Sequence, residues 1–121
     1  MPVRKILLVD DSPAQLKEMQ AAVSSVDANV GIATSGKEAV EKAKSEKPDL
    51  IFMDIVMDEL DGYGACRDIK NDAATKDIPV VFVSTKNQRA DRIWAEKQGA
   101  EALITKPFQH DELLAQVARF S

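Results

Sequence analysis

Leu50-Ile51-Phe52-Met53 constrains the fold more than any other stretch, because four apolar residues introduced by Pro48-Asp49 run directly into an acid, Asp54. Ile55-Val56-Met57 follow before a polar turn from Asp58 to Gly62. So short and uniformly apolar a run reads as a strand buried on both faces, as in a parallel sheet covered by helices. Asp54 then falls at the strand's C-terminal end, the edge where open α/β sheets bind ligands. Desolvating a charge there is costly unless a cation meets it.

The same pattern recurs along the chain. Ile6-Leu7-Leu8-Val9 also ends in acid, at Asp10-Asp11. Ser12-Pro13 supplies an N-cap and a first-turn proline, and Leu16, Met19, Ala22, Val23 and Val26 continue at helical spacing. Asn29–Thr34 is a weaker strand. Ser35-Gly36-Lys37-Glu38 reads as a capping box opening a helix with the stripe Ala39, Val40 and Ala43. After the central strand, Tyr63, Ala65, Cys66 and Ile69 mark a third helix that frays at Asn71-Asp72. Ile78–Val83 is a fourth strand giving way to Ser84, Thr85 and Lys86. A helix from about Gln88 to Gln98 follows, with Gly99 placed to close it in the left-handed conformation. Ala102–Thr105 is a last strand stopped by Lys106-Pro107, and Leu113, Leu114, Val117 and Ala118 face the core from a final helix.

Five strand–helix units imply an α/β domain, and right-handed crossovers leave few topologies. The expected architecture is a flavodoxin-like (βα)5 three-layer sandwich with parallel strand order 2-1-3-4-5. That order sets the first and third strands side by side and converges Asp10, Asp11 and Asp54. The 121 residues fit one domain, 1–121, large enough for a real core. A net charge of −4 gives no electrostatic reason to expect nucleic-acid or membrane partners. Cys66 is the only cysteine, so there is no internal disulfide. No apolar run approaches the ~20 residues of a membrane span. Met-Pro-Val-Arg-Lys lacks the features of a signal peptide, so the expected compartment is the cytoplasm.

Three converging carboxylates raise one another's pKa unless a cation sits among them. Mg²⁺ suits such a site, since it takes oxygen ligands, keeps waters and is commonly shared with a phosphoryl group. Ser84 and Lys106 end the fourth and fifth strands at the same edge. Alone, Ser84 reads as a turn cap and Lys106 as a surface lysine. Together with the acids they make a pocket suited to a transient phosphoryl group, whose transfer needs mostly positioning and charge neutralisation.

Over Ile6 to about Phe120 the chain resembles a response-regulator receiver domain. The matching residues are Asp10-Asp11, Asp54 within Met53-Asp54-Ile55-Val56-Met57, Asp61-Gly62, Ser84 and Lys106-Pro107. The resemblance implies a signalling switch rather than an enzyme acting on other substrates. Asp54 is its phosphoacceptor, charged by a sensor histidine kinase. It implies Mg²⁺ on Asp10, Asp11, Asp54 and the Val56 carbonyl. Ser84 and Lys106 are implied to meet phosphoryl oxygens, and Lys106-Pro107 to be cis. Output is expected by protein contact through the fourth helix, fifth strand and fifth helix. Family members often carry Tyr or Phe where this chain has Leu103, so activation is expected to rest on Ser84 and the loop after it. Asp58 replaces the usual proline, Thr85 a frequent alanine, and Val56 and Lys86 occupy positions that tune phosphate lifetime.

Ser84-Thr85-Lys86-Asn87-Gln88, Asp91, Trp94, Gln98-Gly99-Ala100 and Thr105-Lys106-Pro107 further resemble stand-alone receivers of chemotaxis-like systems that control type IV pili and twitching motility. The rival readings are a phosphate sink without a downstream target and a small haloacid-dehalogenase-type phosphohydrolase. The latter wants a second Asp two residues after a first-strand nucleophile, where Ser12 stands. Trp94 reads either as a partner-binding anchor or as partly packed on the core. His110 reads as a surface residue and Cys66 as a small core residue.

Overall fold

A computed structural model describes residues 2–121. Five strands alternate with five helices: β1 (Lys5–Val9), α1 (Pro13–Ala22), β2 (Asn29–Ala33), α2 (Gly36–Glu46), β3 (Leu50–Met53), α3 (Gly62–Asn71), β4 (Val80–Ser84), α4 (Arg89–Lys97), β5 (Ala102–Thr105) and α5 (His110–Arg119). The strands form one sheet in the order β2-β1-β3-β4-β5, every pair parallel. This is the flavodoxin-like order, with its switch point between β1 and β3.

Strand side chains alternate between two cores, as the period of two requires. Leu7, Val9, Ile51, Met53, Val80 and Phe82 pack with Ala39, Ala43, Ala65, Cys66, Ile69 and Ala95, beneath α2, α3 and α4. Ile6, Leu8, Leu50, Phe52, Val81 and Val83 pack with Leu16, Met19, Leu113 and Val117, beneath α1 and α5. Every residue of β3 and β4 is buried, which is why those runs show no polar alternation. β2 lies at the sheet's edge, and its exposed Asn29 and Val30 explain its weak apolar signal.

Local signals set the helix ends. Ser12 caps α1, its Oγ accepting the Gln15 N–H at 3.4 Å, with Pro13 in the first position. Ser35 Oγ accepts the Glu38 N–H at 3.1 Å, but the Glu38 carboxylate reaches back to the Thr34 N–H at 2.6 Å rather than to Ser35. Gly99 at φ +92° closes α4: its N–H bonds the Glu96 carbonyl at 3.0 Å and the Ala100 N–H bonds Ala95 at 3.1 Å. Cys66 is buried, its Sγ 3.3 Å from the Gln98 carbonyl, and burial pushes the thiol up to about 11. His110 is an exposed first-turn residue of α5.

Three expectations from spacing are corrected. α1 stops at Ala22, so Val26 packs on the core from a loop instead of a helix. β4 starts at Val80, two residues after Ile78. Ala118 is exposed: one turn after Leu114 it has rotated off the Leu113–Val117 line that α5 presents to the sheet. Among the described residues no helix is long and apolar enough to cross a membrane.

Gly62 fixes where α3 begins. Its N–H donates to the Ile55 carbonyl at 2.7 Å, and an added Cβ would collide with the Asp54 carbonyl and lie 2.8 Å from the Ile55 Cα. Backbone, unlike a flexible side chain, cannot step aside. Gly62→Ala is expected to cost about 1–3 kcal/mol, a melting-point drop of about 4–8 °C per kcal/mol in a domain near this size. Gly31→Ala meets only the mobile tip of Glu46 at 2.9 Å, so it serves as the control expected within about 0.5 kcal/mol of the parent. Thermal melts of the two variants check both.

Candidate functional site

Asp10, Asp54 and Lys106 are each held by a backbone hydrogen bond just beyond the last residue of their strand. The Asp10 N–H donates to Ala33 at 3.1 Å, the Asp54 N–H to Val9 at 2.9 Å, and the Lys106 N–H to Ser84 at 2.9 Å. The sheet thus delivers these groups to one edge as rigidly as it holds its own strands. The Lys106-Pro107 bond that follows is cis.

Asp10 is 1% exposed, and both of its oxygens are used. Oδ1 accepts the Ser12 N–H at 2.9 Å and Oδ2 the Lys106 ammonium at 2.7 Å. Asp54 is also buried; its Oδ1 accepts the Ile55 N–H at 2.7 Å, and its Oδ2 lies 3.5 Å from Lys106 Nζ. Asp11 is exposed at the rim. Asp10, Asp11 and Asp54 each offer an oxygen within 4.8 Å of the others. Asp11 is held above its ordinary 3.8, first by desolvation and then by the charges of Asp10, Asp54 and Asp58.

Three carboxylates facing a single ammonium leave a deficit of positive charge. The donors are all hard oxygens and they already converge, which fits a divalent ion of the Mg²⁺ kind. Val56, two residues beyond Asp54, sits in the same loop with its side chain 53% exposed. Ser84 is fully buried at the same edge, but its Oγ accepts the Lys86 N–H at 3.3 Å and does not bond Asp54 or Lys106. Beside Lys106 a cleft of about 430 Å³ opens between Gln15, Glu18, Thr85, Pro107 and Phe108. Asp10, Asp11, Asp54, Ser84 and Lys106 thus reach one end of the sheet, with Ser84 the one whose polar group is turned elsewhere.

Two neighbours were not legible from spacing. Tyr63 on α3 directs its hydroxyl to the Asp91 carboxylate on α4 at 3.3 Å, and Asp91 Oδ1 lies 3.8 Å from Lys86 Nζ. An aromatic four residues past a loop acid carries no signal of its own until the packing of α3 beside α4 is known.

A doubly wound parallel sheet that gathers three carboxylates beside one ammonium at its switch-point edge defines an α/β domain with a hard-oxygen cluster there. A family model for the response regulator receiver domain matches residues 6–118, and the chain belongs to that family. It is 42% identical over 110 residues to Protein PilH of Pseudomonas aeruginosa, covering 91% of each chain. It is 34% identical over 113 residues to Protein PilG of the same organism, covering 93% of this chain and 84% of that one. The receiver domain of a sensor histidine kinase from Pseudomonas aeruginosa PAO1, solved with a magnesium ion coordinated in its active-site cleft, superposes with a TM-score of 0.89. It shares 29% identity, covering 98% of this chain and 97% of that one.

The charge balance predicts stability changes of opposite sign. Because the folded-state pKa of Asp11 is raised, its ionised form costs stability at neutral pH, and that cost fades as pH falls through the raised value and is gone below 3.8. Asp11→Asn is expected to melt higher than the parent at pH 7 without divalent ions, the gain shrinking as the pH is lowered. Lys106→Ala leaves buried Asp10 without its cation and is expected to lose about 3–5 kcal/mol. Urea denaturation across pH measures both.

Proposed function

We propose that this receiver is a phosphorylation switch in which Asp54 takes a phosphoryl group from a phosphohistidine of a sensor histidine kinase. A carboxylate oxygen of Asp54 forms the new P–O bond while the N–P bond breaks, its electron pair remaining on the imidazole nitrogen. Oδ2 is the oxygen placed for this, since Oδ1 is committed to the Ile55 amide. Lys106, already 3.5 Å from Oδ2, neutralises the incoming phosphoryl oxygens. Ser84 rotates, its Oγ leaving the Lys86 N–H that it accepts, and donates its hydroxyl proton to one of them. Asp10, Asp11 and Asp54, with the Val56 carbonyl, would hold Mg²⁺. When bound, such an ion would supply charge neutralisation for the phosphoryl oxygens. Hydrolysis resets the switch: water attacks phosphorus, the P–O bond to Asp54 breaks, and inorganic phosphate leaves. The domain catalyses only these steps on itself.

The reading rests above all on one observation, the meeting of Asp10, Asp11 and Asp54 within 4.8 Å beside the Lys106 ammonium. Residues 1–121 act as a single regulatory domain in the cytoplasm, without nucleic-acid or membrane contact. They signal to a protein target through α4, β5 and α5. The likeness to Protein PilH and Protein PilG along nearly the whole chain supports a place in a chemotaxis-like system controlling pili. Nothing favours the hydrolase reading, since the candidate nucleophile ends β3 rather than β1 and Ser12 stands two residues after Asp10.

Incubation with a labelled kinase or a labelled small phosphodonor is expected to mark the protein on a bond labile to base and to hydroxylamine. Chelating Mg²⁺ or substituting Asp54→Ala should abolish the label. Normal labelling of Asp54→Ala would overturn the assignment.

A further inference from the structure

α4 is attached differently from the other helices. Ala95 is its one buried residue, whereas α3 buries Gly62, Gly64, Ala65, Cys66 and Ile69. Polar contacts hold it instead. Arg92 reaches the Leu103 carbonyl and Thr105 Oγ1, both at 3.4 Å, on the β5 side. On the α3 side Asp91 is the hub: Oδ2 accepts the Gln88 N–H at 3.2 Å, and Oδ1 faces both the Tyr63 hydroxyl at 3.3 Å and Lys86 Nζ at 3.8 Å.

Lys86 is therefore tethered twice. Its backbone N–H is bound by Ser84 Oγ at 3.3 Å and its ammonium by Asp91. Tyr63 stands behind Asp91, wedged edge-on between the buried Phe82 ring of β4 at 5.5 Å and the Trp94 ring of α4 at 6.4 Å. Burial and the Asp91 charge push the Tyr63 phenol up to about 12, so it stays a proton donor to Asp91 at any physiological pH. Trp94, the single tryptophan, is 47% exposed. An unbroken set of contacts thus runs from a buried hydroxyl at the acidic cleft to an indole on the surface.

We propose that Ser84, Lys86, Asp91, Tyr63 and Trp94 form a relay in which Tyr63 is the aromatic positioning residue that carries the state of the cleft to α4. The inference rests on the phosphoacceptor reading of Asp54 and adds how the signal leaves the site. When the Ser84 side chain rotates to donate its hydroxyl proton to a phosphoryl oxygen, Oγ moves away from the Lys86 N–H, which loses its acceptor. The loop from Thr85 to Gln88 is then free to move, the Lys86–Asp91 pair opens, and the Tyr63–Asp91 contact re-forms with α4 shifted. Leu103, lacking a ring and a hydroxyl, cannot perform this task from β5; Tyr63 reaches α4 from the opposite side.

Trp94 makes the relay directly visible. Beryllium fluoride with Mg²⁺ serves as a non-hydrolysable phosphoryl mimic, its binding followed by ¹⁹F NMR and the indole by fluorescence on the same sample. The parent protein is expected to bind the mimic and change its Trp94 emission. Tyr63→Phe keeps both ring contacts and removes only the hydroxyl; it should bind the mimic and lose most of the emission change. Lys86→Gln, which severs only the ion pair, should behave the same way. Binding without an emission change in the parent, or full changes in both variants, overturns the relay and leaves Asp54 untouched. Absence of a bound ¹⁹F signal in the parent defeats the phosphoacceptor reading and the relay with it, and Asp54→Ala gives the reference for that outcome.

Discussion

The contact between Lys106 and Asp10 is the constraint on which the cleft depends. Two strands, β3 and β4, lie between β1 and β5, and at the usual strand spacing the gap is roughly 14 Å. A single side chain does not cross it unaided. The Lys106 N–H bond to the Ser84 carbonyl draws the exit of β5 over β4, the lysine stem extends across β3, and Asp10 meets it from the far side at 2.7 Å. Asp54, on the strand in between, lies beneath this span, which is why one ammonium touches two carboxylates. Reordering the strands would break the arrangement even with every residue retained.

That arrangement contributes little to folding. A buried ion pair roughly offsets its own desolvation, and a cluster carrying two further carboxylates does worse. Stability comes from the two apolar layers flanking the sheet, where Phe52 and Phe82 are fully enclosed and each large side chain contributes about 1.5–3 kcal/mol. The cleft exploits that surplus: the core tolerates an electrostatic deficit at the sheet's edge, of the kind a bound cation would relieve. Asp11 is held above its ordinary value first by desolvation and then by the charges of Asp10, Asp54 and Asp58, so part of this tension falls on its carboxyl.

Much of this geometry could be read from the chain because strand ends are marked twice, by the end of an apolar run and by the polar residue that stops it. Asp10, Asp54, Ser84 and Lys106 each occupy such a position, so recognising the strands and their order was enough to bring them together. Helix faces are marked less sharply. The spacing that includes Leu113 and Val117 also admits Ala118, and only the crossing of α5 over the sheet shows that Ala118 points to solvent. Tyr63 and Asp91 lie 28 residues apart on two helices, and no periodicity within either one foretells a contact between them. The orientation of the Ser84 hydroxyl was equally hidden, because it depends on the turn at Thr85-Lys86 rather than on the strand that delivers it.

The thin attachment of α4 has an energetic consequence. The contacts that hold α4 involve charged groups, but at 3.3–3.8 Å and partly exposed they are long and screened by solvent. Such surface pairs contribute only about 0–1 kcal/mol each, less than one large buried side chain. A helix anchored by Ala95 and by partly exposed polar contacts therefore has alternative positions within a few kcal/mol of its resting one. Moving such an equilibrium from one dominant state to the other takes a differential of about 5.5 kcal/mol. A dianion that gains charge-assisted bonds to Lys106 and Ser84, at about 1.5–3 kcal/mol each, has energy of that order to spend. Were α4 packed as α3 is, the same two bonds could not shift it, and occupancy of the cleft would stay silent at the surface.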